Sequence, residues 1–462
     1  MIAKLFPYKL QLQILQQGEY RIINFLRWDF NNFFKRKLED KKQLFFSPKA
    51  KMILVLSLGL AFLTILVLSL RFGLLGLILG LVLSSQAYIF LAVADIILKP
   101  FESGLRFWLK RKAMQKLATL NNLTVIGITG SYGKTSVKEF LYTILKTEYQ
   151  TLKTPESYNT VLGIAKVIDL ELDETYQYFI CEMAAYKRGE IKELADMLKP
   201  KFGILTGINE QHLEMFGSIE NTILAKFELV EAIPEDGFAV INGDNELVRN
   251  NYKKYAKNFV IYGLGDFSFS AKNIKIIEDG TTFELILDDK NYPCKTKLIG
   301  KSQIENIVAA ATMAFKLGMK PEKILEAIGN LSAVSHRLEF RQRENMLIID
   351  DAYNSNVTGF KEALHLLENF KDRPKIIVTP GIVDLGGKTL EIHKSLGRLA
   401  EKICDTVILV GKSDRTNGLA QGVTNQKKIQ WIESIKDLSV ILKKLDLENP
   451  VVLLENDLPD SY

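Results

Sequence analysis

Cysteine is scarce in this sequence: Cys181, Cys294 and Cys404 are the only three in 462 residues. They lie about 110 residues apart with no CxxC pair, which excludes a zinc ribbon and a disulfide framework and fits a reducing cytoplasm. Neither sign of charge dominates, with 60 Lys and Arg against 54 Asp and Glu and a net charge of +6. The basic excess gathers on the two sides of one apolar stretch, so it reads as membrane-flanking charge, and no nucleic-acid partner is expected. The first apolar run begins only after about 50 residues, which argues against a cleavable signal peptide. A G-x-S-x-G nucleophile elbow is missing, so no covalent enzyme intermediate is expected. The length exceeds a single core and implies two or three domains.

What the chain does have is a long apolar stretch. Between Met52 and Ala94 the only charge is Arg71. The two runs on either side of it are about 20 residues each, enough to cross a hydrocarbon core of roughly 30 Å. Two transmembrane helices joined by a short turn at Arg71, Phe72 and Gly73 are predicted. Lys35, Arg36, Lys37, Lys41, Lys42, Lys49 and Lys51 precede the pair, and Lys99, Arg106, Lys110, Arg111 and Lys112 follow it. Both ends, and whatever follows, should therefore be cytoplasmic: a multi-pass protein of the cell membrane. Residues 8–38 mix Leu12, Leu15, Ile22, Phe25 and Phe30 with polar and basic residues. That composition suits either an interfacial amphipathic helix with Trp28 near the headgroups or a helix packed on protein.

Downstream, strand-like Leu123 to Ile128 runs into Thr129-Gly130-Ser131-Tyr132-Gly133-Lys134-Thr135-Ser136 and then a helical pattern. Glycines let backbone N–H groups wrap a polyphosphate, Lys134 supplies a point charge and the Thr135 hydroxyl can reach Mg²⁺. The general NTPase pattern would place glycine where Ile128 stands. Glu182 follows the apolar run Tyr178 to Cys181, at the C-terminal end of a parallel strand, where open α/β sheets bind ligands. A carboxylate there facing Thr135 is a hard oxygen ligand for Mg²⁺.

The loop resembles the shorter TG-x-x-GKT loop of the Mur ligase superfamily, and further markers follow in order. Glu182-Met183 with Gly189-Glu190-Ile191, Thr206 to Glu214, Ala225-Lys226-Phe227-Glu228 and Asp350-Asp351-Ala352-Tyr353-Asn354-Ser355-Asn356 resemble segments of the branch that adds D-alanyl-D-alanine to the muramoyl tripeptide (MurF). The resemblance implies ATP and Mg²⁺ as cofactors. It implies a second metal contact at His212 and a carbamylated Lys226 that helps hold a second Mg²⁺. Gly300 to Asn306 is similar to the family's adenine-side motif, with Ser302 and Gln303 in place of His and Asn. Only Asn306 carries over, and it could equally stabilise a helix start. Ser335 to Glu339 is similar to the family's "GRLE" hinge with His336 in place of glycine, and Arg337 is the candidate cation for the ATP phosphates. Asp351, Tyr353 and Asn354 are expected to touch the nucleotide.

The fold class expected is therefore α/β: a P-loop central ATPase domain with a parallel sheet, then a C-terminal Rossmann-like α/β domain, preceded by two transmembrane helices. Boundaries fall at 1–51 for a basic flanking segment, 52–98 for the hairpin, 99–330 for the central domain and 331–462 for the C-terminal domain. The activity implied is phosphorylation of a carboxylate by ATP followed by amine attack on the acyl phosphate. Partners would be a carboxylate-bearing peptide or muropeptide, an amino acid or dipeptide, and the membrane. The soluble relatives begin with a uridine-nucleotide domain where this chain has a hairpin, and Leu453 to Leu458 stands where they have a lysine-containing "KGS" stretch. Both departures point away from a soluble UDP-linked acceptor and towards a lipid-linked one. A poly-γ-glutamate-synthase-like polymer ligase and a non-catalytic ATP-binding scaffold are the alternatives. Asp350 to Asn356 speaks against the first, and intact Lys134, Thr135, Glu182 and His212 against the second.

Overall fold

The computed structural model describes residues 6–18, 20–32, 44–155, 158–209, 216–277, 280–343, 345–353, 356–383 and 385–456. The chain divides at Leu109/Lys110 into two compact units.

In the first unit, α1 (Tyr8–Gln17) and α2 (Ile22–Asn32) precede α3 (Pro48–Ser84) and the start of α4 (Ala87–Thr119). Ser47 caps α3 with its hydroxyl and Pro48 occupies the first turn, a sequence-encoded helix start. Helix α3 is long and apolar enough to cross a membrane by length and composition. It is not one straight rod, because Gly73 takes φ 58 and ψ −136 and reverses the chain. A side chain at Gly76 would run into the Leu68 carbonyl, and one at Gly80 would sit 2.8 Å from the Ile65 Cα. The Ser84 hydroxyl donates to the Ala61 carbonyl at 3.2 Å. Gly76, Gly80 and Ser84 thus form a small-residue stripe, spaced by four, that lets the two arms approach closely.

The structure corrects the sequence reading of the second run in one respect. It does not continue as one helix to Asp95 but breaks at Ser85 and Gln86 before α4 begins. The Tyr8 hydroxyl donates to the Ser84 carbonyl at the break, satisfying one of the groups it exposes. Lys49 meets Asp95 at 3.4 Å and Glu102 at 2.8 Å, so the returning arm reaches the base of the outgoing one. Leu12, Leu15 and Phe25 bury against Ala50, Ile53 and Leu91, so α1 and α2 are packed on protein.

The second unit opens with the end of α4, where Lys112 pairs with Asp169 at 2.7 Å. Its first sheet is wholly parallel in the order β2-β3-β1-β4-β5-β6, from β1 (Thr124–Thr129), β2 (Thr151–Lys153), β3 (Tyr178–Glu182), β4 (Phe202–Leu205), β5 (Phe238–Asn242) and β6 (Phe259–Tyr262). Crossover helices α5 (Lys134–Leu145), α6 (Val161–Leu170), α7 (Glu190–Leu198) and α8 (Ile219–Ala232) link the strands. Both faces are covered, so the strands read as apolar runs such as Val125 to Ile128. An antiparallel meander of β7 (Phe269–Ile277), β8 (Gly280–Leu287) and β9 (Lys290–Thr296) follows, then α9 (Lys301–Lys316) and α10 (Pro321–Gly329).

A second sheet has the order β10-β11-β15-β12-β13-β14, from β10 (Glu339–Arg343), β11 (Met346–Asp351), β12 (Lys375–Thr379), β13 (Thr406–Val410), β14 (Ile429–Ile432) and β15 (Val451–Glu455). Only β10, at one edge, runs antiparallel. Helices α11 (Val357–Leu367), α12 (Thr389–Ile403), α13 (Asp414–Gly422) and α14 (Leu438–Leu445) complete the Rossmann-like domain that the alternating pattern predicts.

Candidate active site

The loop after β1 is built by glycine. Gly130 (φ 151) and Gly133 (φ 75) take backbone conformations closed to most side chains. A Cβ on Gly130 would also strike the Thr206 hydroxyl. Gly133 caps α5, so the N-terminus of a twelve-residue helix faces the loop. The Ser131 N–H donates to the Gly207 carbonyl at 2.7 Å, and its hydroxyl accepts from the Asn209 N–H at 3.2 Å. The Thr206 hydroxyl donates to the Tyr132 carbonyl. The loop is therefore clamped to the segment after β4, while Ser136 is buried in the first turn of α5. The Lys134 ammonium donates to the Gly130 carbonyl at 2.8 Å, curled inside the loop. Burial pushes its pKa down and the nearby Arg337 adds to this, while Glu182 opposes both.

Glu182 ends β3 in register with Ile128 and is buried. The Asn159 amide donates to its Oε1 at 3.4 Å. Its Oε2 lies 3.4 Å from the Lys138 ammonium and makes no hydrogen bond. Lys226, on α8, is also buried, with its ammonium 5.7 Å from the centre of the Phe216 ring. Burial, and next the charge of Lys134, bring its pKa down to about 7, against Glu190, Glu228 and Glu182. Neighbouring Glu228 accepts the N–H groups of Gly189 at 2.6 Å and Lys192 at 2.9 Å. It thereby caps α7 and ties the Lys226 helix to the segment that follows Glu182.

Asn306 lies on α9 under the loop; its Oδ1 would be 2.6 Å from a Cβ on Gly133. Glu305 beside it is half-buried and accepts from the Asn242 amide at 2.9 Å. Asn242 also donates to the Thr206 carbonyl at 2.6 Å, and Asn245 donates to the Tyr132 hydroxyl at 3.1 Å. Burial raises the Glu305 carboxyl to about 7, the Asn242 hydrogen bond opposing it.

At the hinge, His336 has φ 59, a left-handed conformation that accounts for glycine in the resembling motif. Its Nδ1 lies 2.9 Å from an Asp350 carboxylate oxygen. Arg337 reaches across, one guanidinium nitrogen 3.5 Å from the Thr135 hydroxyl and the group 4.5 Å from the centre of the Tyr353 ring. Gln303, set aside by the sequence comparison, donates to the Arg337 carbonyl at 2.9 Å. Asp351 accepts from the Leu338 N–H at 3.1 Å, and burial raises its carboxyl to about 6 against the charge of Arg337.

Gly130, Ser131, Gly133, Lys134, Thr135, Ser136, Asn306 and Arg337 thus surround one loop, and Glu182 and Lys226 act on the same Lys134 charge. Asp351 and Tyr353 join through Arg337. His212 and Asn354 lie outside the described residues. Among the described residues no three His, Cys, Asp or Glu side chains gather as a metal cage. A Mg²⁺ ion nevertheless fits the donor chemistry: a buried carboxylate with one oxygen free of hydrogen bonds and the Thr135 hydroxyl are hard oxygen donors. Lys138, Asn159, Asn242 and Glu305 are participants that the sequence reading does not single out. The spacing of Lys138 four residues beyond Lys134, on one helix face, is the signal that was available for the first.

Comparison with known proteins adds two family matches, the Mur ligase middle domain over residues 128–314 and the Mur ligase glutamate ligase domain over 336–454. The UDP-N-acetylmuramoyl-tripeptide--D-alanyl-D-alanine ligase of Escherichia coli is 31% identical over 65% of this chain and 67% of its own length. The Bacillus subtilis protein of the same name is 30% identical over 66% of this chain and 65% of its own length. The chain thus spans about two thirds of these relatives. MurF from Acinetobacter baumannii superposes with a TM-score of 0.69 at 26% identity, covering 76% of this chain and 77% of that one. MurF from Thermotoga maritima in complex with ADP gives 0.70 at 26% identity, covering 76% and 80%.

Proposed function

The chain belongs to the Mur ligase family, and from that premise we propose that it is an ATP-dependent, ADP-forming carboxylate–amine ligase acting on a peptidoglycan-type precursor. The observation that carries this is the convergence of Lys134, Thr135, Glu182, Lys226 and hinge-borne Arg337 on one glycine loop. A carboxylate cannot be aminated directly because oxide is too poor a leaving group. An acceptor carboxylate oxygen attacks the γ-phosphorus, the bond to the β-phosphate oxygen breaks and ADP leaves. The amine then attacks the acyl carbon, inorganic phosphate departs and the nitrogen loses a proton. Lys134 and Arg337 balance the charge on the transferring phosphoryl group. Thr135, Glu182 and, as a carbamate, Lys226 would hold Mg²⁺, which supplies Lewis-acid stabilisation of the phosphate oxygens. Carbamylation needs a neutral amine, and burial favours that form by bringing the Lys226 pKa down to about 7. Asn306, packed under Gly133, would contact the nucleotide as its family motif implies, with Asp351 and Tyr353 orienting Arg337.

The apolar hairpin is read as a two-pass membrane anchor. From Lys51 to Arg71, α3 covers about 30 Å, a bilayer's hydrocarbon thickness. Its outward side chains, among them Val55, Phe62, Leu70, Leu74 and Leu75, are exposed as lipid-facing groups are. An acceptor confined to the same membrane gains effective concentration, which favours a lipid-linked substrate. The test is ADP release from the full-length protein with a panel of amino acids, dipeptides and muropeptides, soluble or lipid-linked. ADP formation that requires both a carboxylate peptide and an amine supports the reading. ADP formation indifferent to the amine overturns it.

A further inference from the structure

Lys138 is an unusual residue to find where it is. A lysine ammonium is seldom fully buried unless it is paired, and here the whole side chain is inaccessible. It projects from the same face of α5 as Lys134, one turn further on, and points towards the end of β3 rather than into the phosphate loop. Its nitrogen lies 3.4 Å from Glu182 Oε2 and 3.7 Å from Glu139 Oε1. Glu139 in turn pairs with Lys153, whose ammonium stands 4.5 Å from the centre of the Tyr142 ring. Glu182 is thus held from two sides, by the Asn159 amide at Oε1 and the Lys138 charge at Oε2.

We propose that Lys138 is a positioning residue for the metal site: its buried charge holds the Glu182 carboxylate in place and keeps it from closing onto Lys134. The proposal rests on the reading of Glu182 as a metal ligand given above. The physical need follows from the crowding of charge. Glu182 acts electrostatically on both Lys134 and Lys226. Without a cation behind it, a buried carboxylate turns to a cation in front, and Lys134, on which the Glu182 charge already acts, is the lysine needed by the nucleotide phosphates. A partner behind the ligand fixes its orientation before the metal arrives, and loss of such partners characteristically weakens metal binding by about 10–100-fold.

The test is equilibrium binding of Mn²⁺ to the full-length protein in the presence of ADP, read by electron paramagnetic resonance, beside the Mg²⁺ concentration giving half-maximal ligase rate. Lys138→Met should weaken Mn²⁺ binding and raise the Mg²⁺ requirement by at least about tenfold, and Lys138→Arg should restore most of both. Lys138→Gln, which keeps a polar group of similar length, should behave as Lys138→Met and serves if that variant does not fold. Folded Lys138→Met or Lys138→Gln protein with the parent's Mn²⁺ affinity and Mg²⁺ requirement overturns the proposal. Glu182→Gln separates the two levels. If it leaves Mn²⁺ binding unchanged, the metal reading fails and this proposal with it; if it weakens binding while the Lys138 variants do not, only the role of Lys138 fails.

Discussion

At the scale of single residues, the phosphate loop was the most legible part of the site. Its chemistry depends on where glycine stands, and glycine can be read directly. Lys134→Ala should abolish amide formation in a folded protein, because the transferring phosphoryl group loses its main cation. Ligase assays beside circular dichroism check this; near-parental turnover would remove Lys134 from the chemistry. Lys226 was placed by resemblance alone, and burial, which lowers its pKa to about 7, is what would make its amine available for carbamylation. With ¹³C-bicarbonate, the parent should show a carbamate carbonyl resonance that Lys226→Met lacks. Glu305 was not legible, since nothing in the spacing of α9 says that its carboxyl packs against the Asn242 amide. Its raised folded pKa, about 7 against the ordinary 4.5, has a definite sign. The folded state binds the extra proton between those values, so stability is greater at the acid end and falls as pH rises through about 7. Glu305→Gln keeps the acceptor without the charge. It should stabilise the protein by up to about 3 kcal/mol at pH 8 and little at pH 5, as thermal melts at the two pH values would show.

At the scale of elements, long apolar runs and strand–loop–helix order were legible, while irregularities inside them were not. The central-domain strands that lead into motifs, β1, β3 and β4, are apolar runs. The edge strand β10, Glu-Phe-Arg-Gln-Arg, is too polar to read as a strand, and β14 has only four residues. The hairpin reverses at Gly73 because that position has a positive φ, and the break at Ser85 and Gln86 is sealed by Tyr8 from a distant helix. No local pattern encodes that last contact. The stripe of Gly76, Gly80 and Ser84 gives a direct test. Gly76→Leu places a side chain against the Leu68 carbonyl and should destabilise the hairpin by about 1–3 kcal/mol or more. Gly59→Leu, where a Cβ meets nothing, should be tolerated. Thermal unfolding in detergent distinguishes them, and equal melting of both variants would mean the arms do not pack.

At the scale of the whole molecule, a two-pass anchor requires that the hairpin turn lie on the opposite side of the membrane from the ligase domains. All three native cysteines are buried, so introduced ones can be labelled selectively. A membrane-impermeant maleimide applied to intact cells should reach Phe72→Cys and miss Lys110→Cys; labelling of neither would place the hairpin within one leaflet. The central claim, that a phosphate loop and a hinge arginine join a carboxylate to an amine through an acyl phosphate, leaves an isotopic signature. The measurement is turnover of a muramoyl-tripeptide acceptor, soluble or lipid-linked, carrying ¹⁸O in its terminal carboxylate, with ATP and D-alanyl-D-alanine. The expected result is ADP together with inorganic phosphate that has gained one ¹⁸O atom for each amide bond formed. Phosphate without the label, or AMP and pyrophosphate in place of ADP, would contradict it.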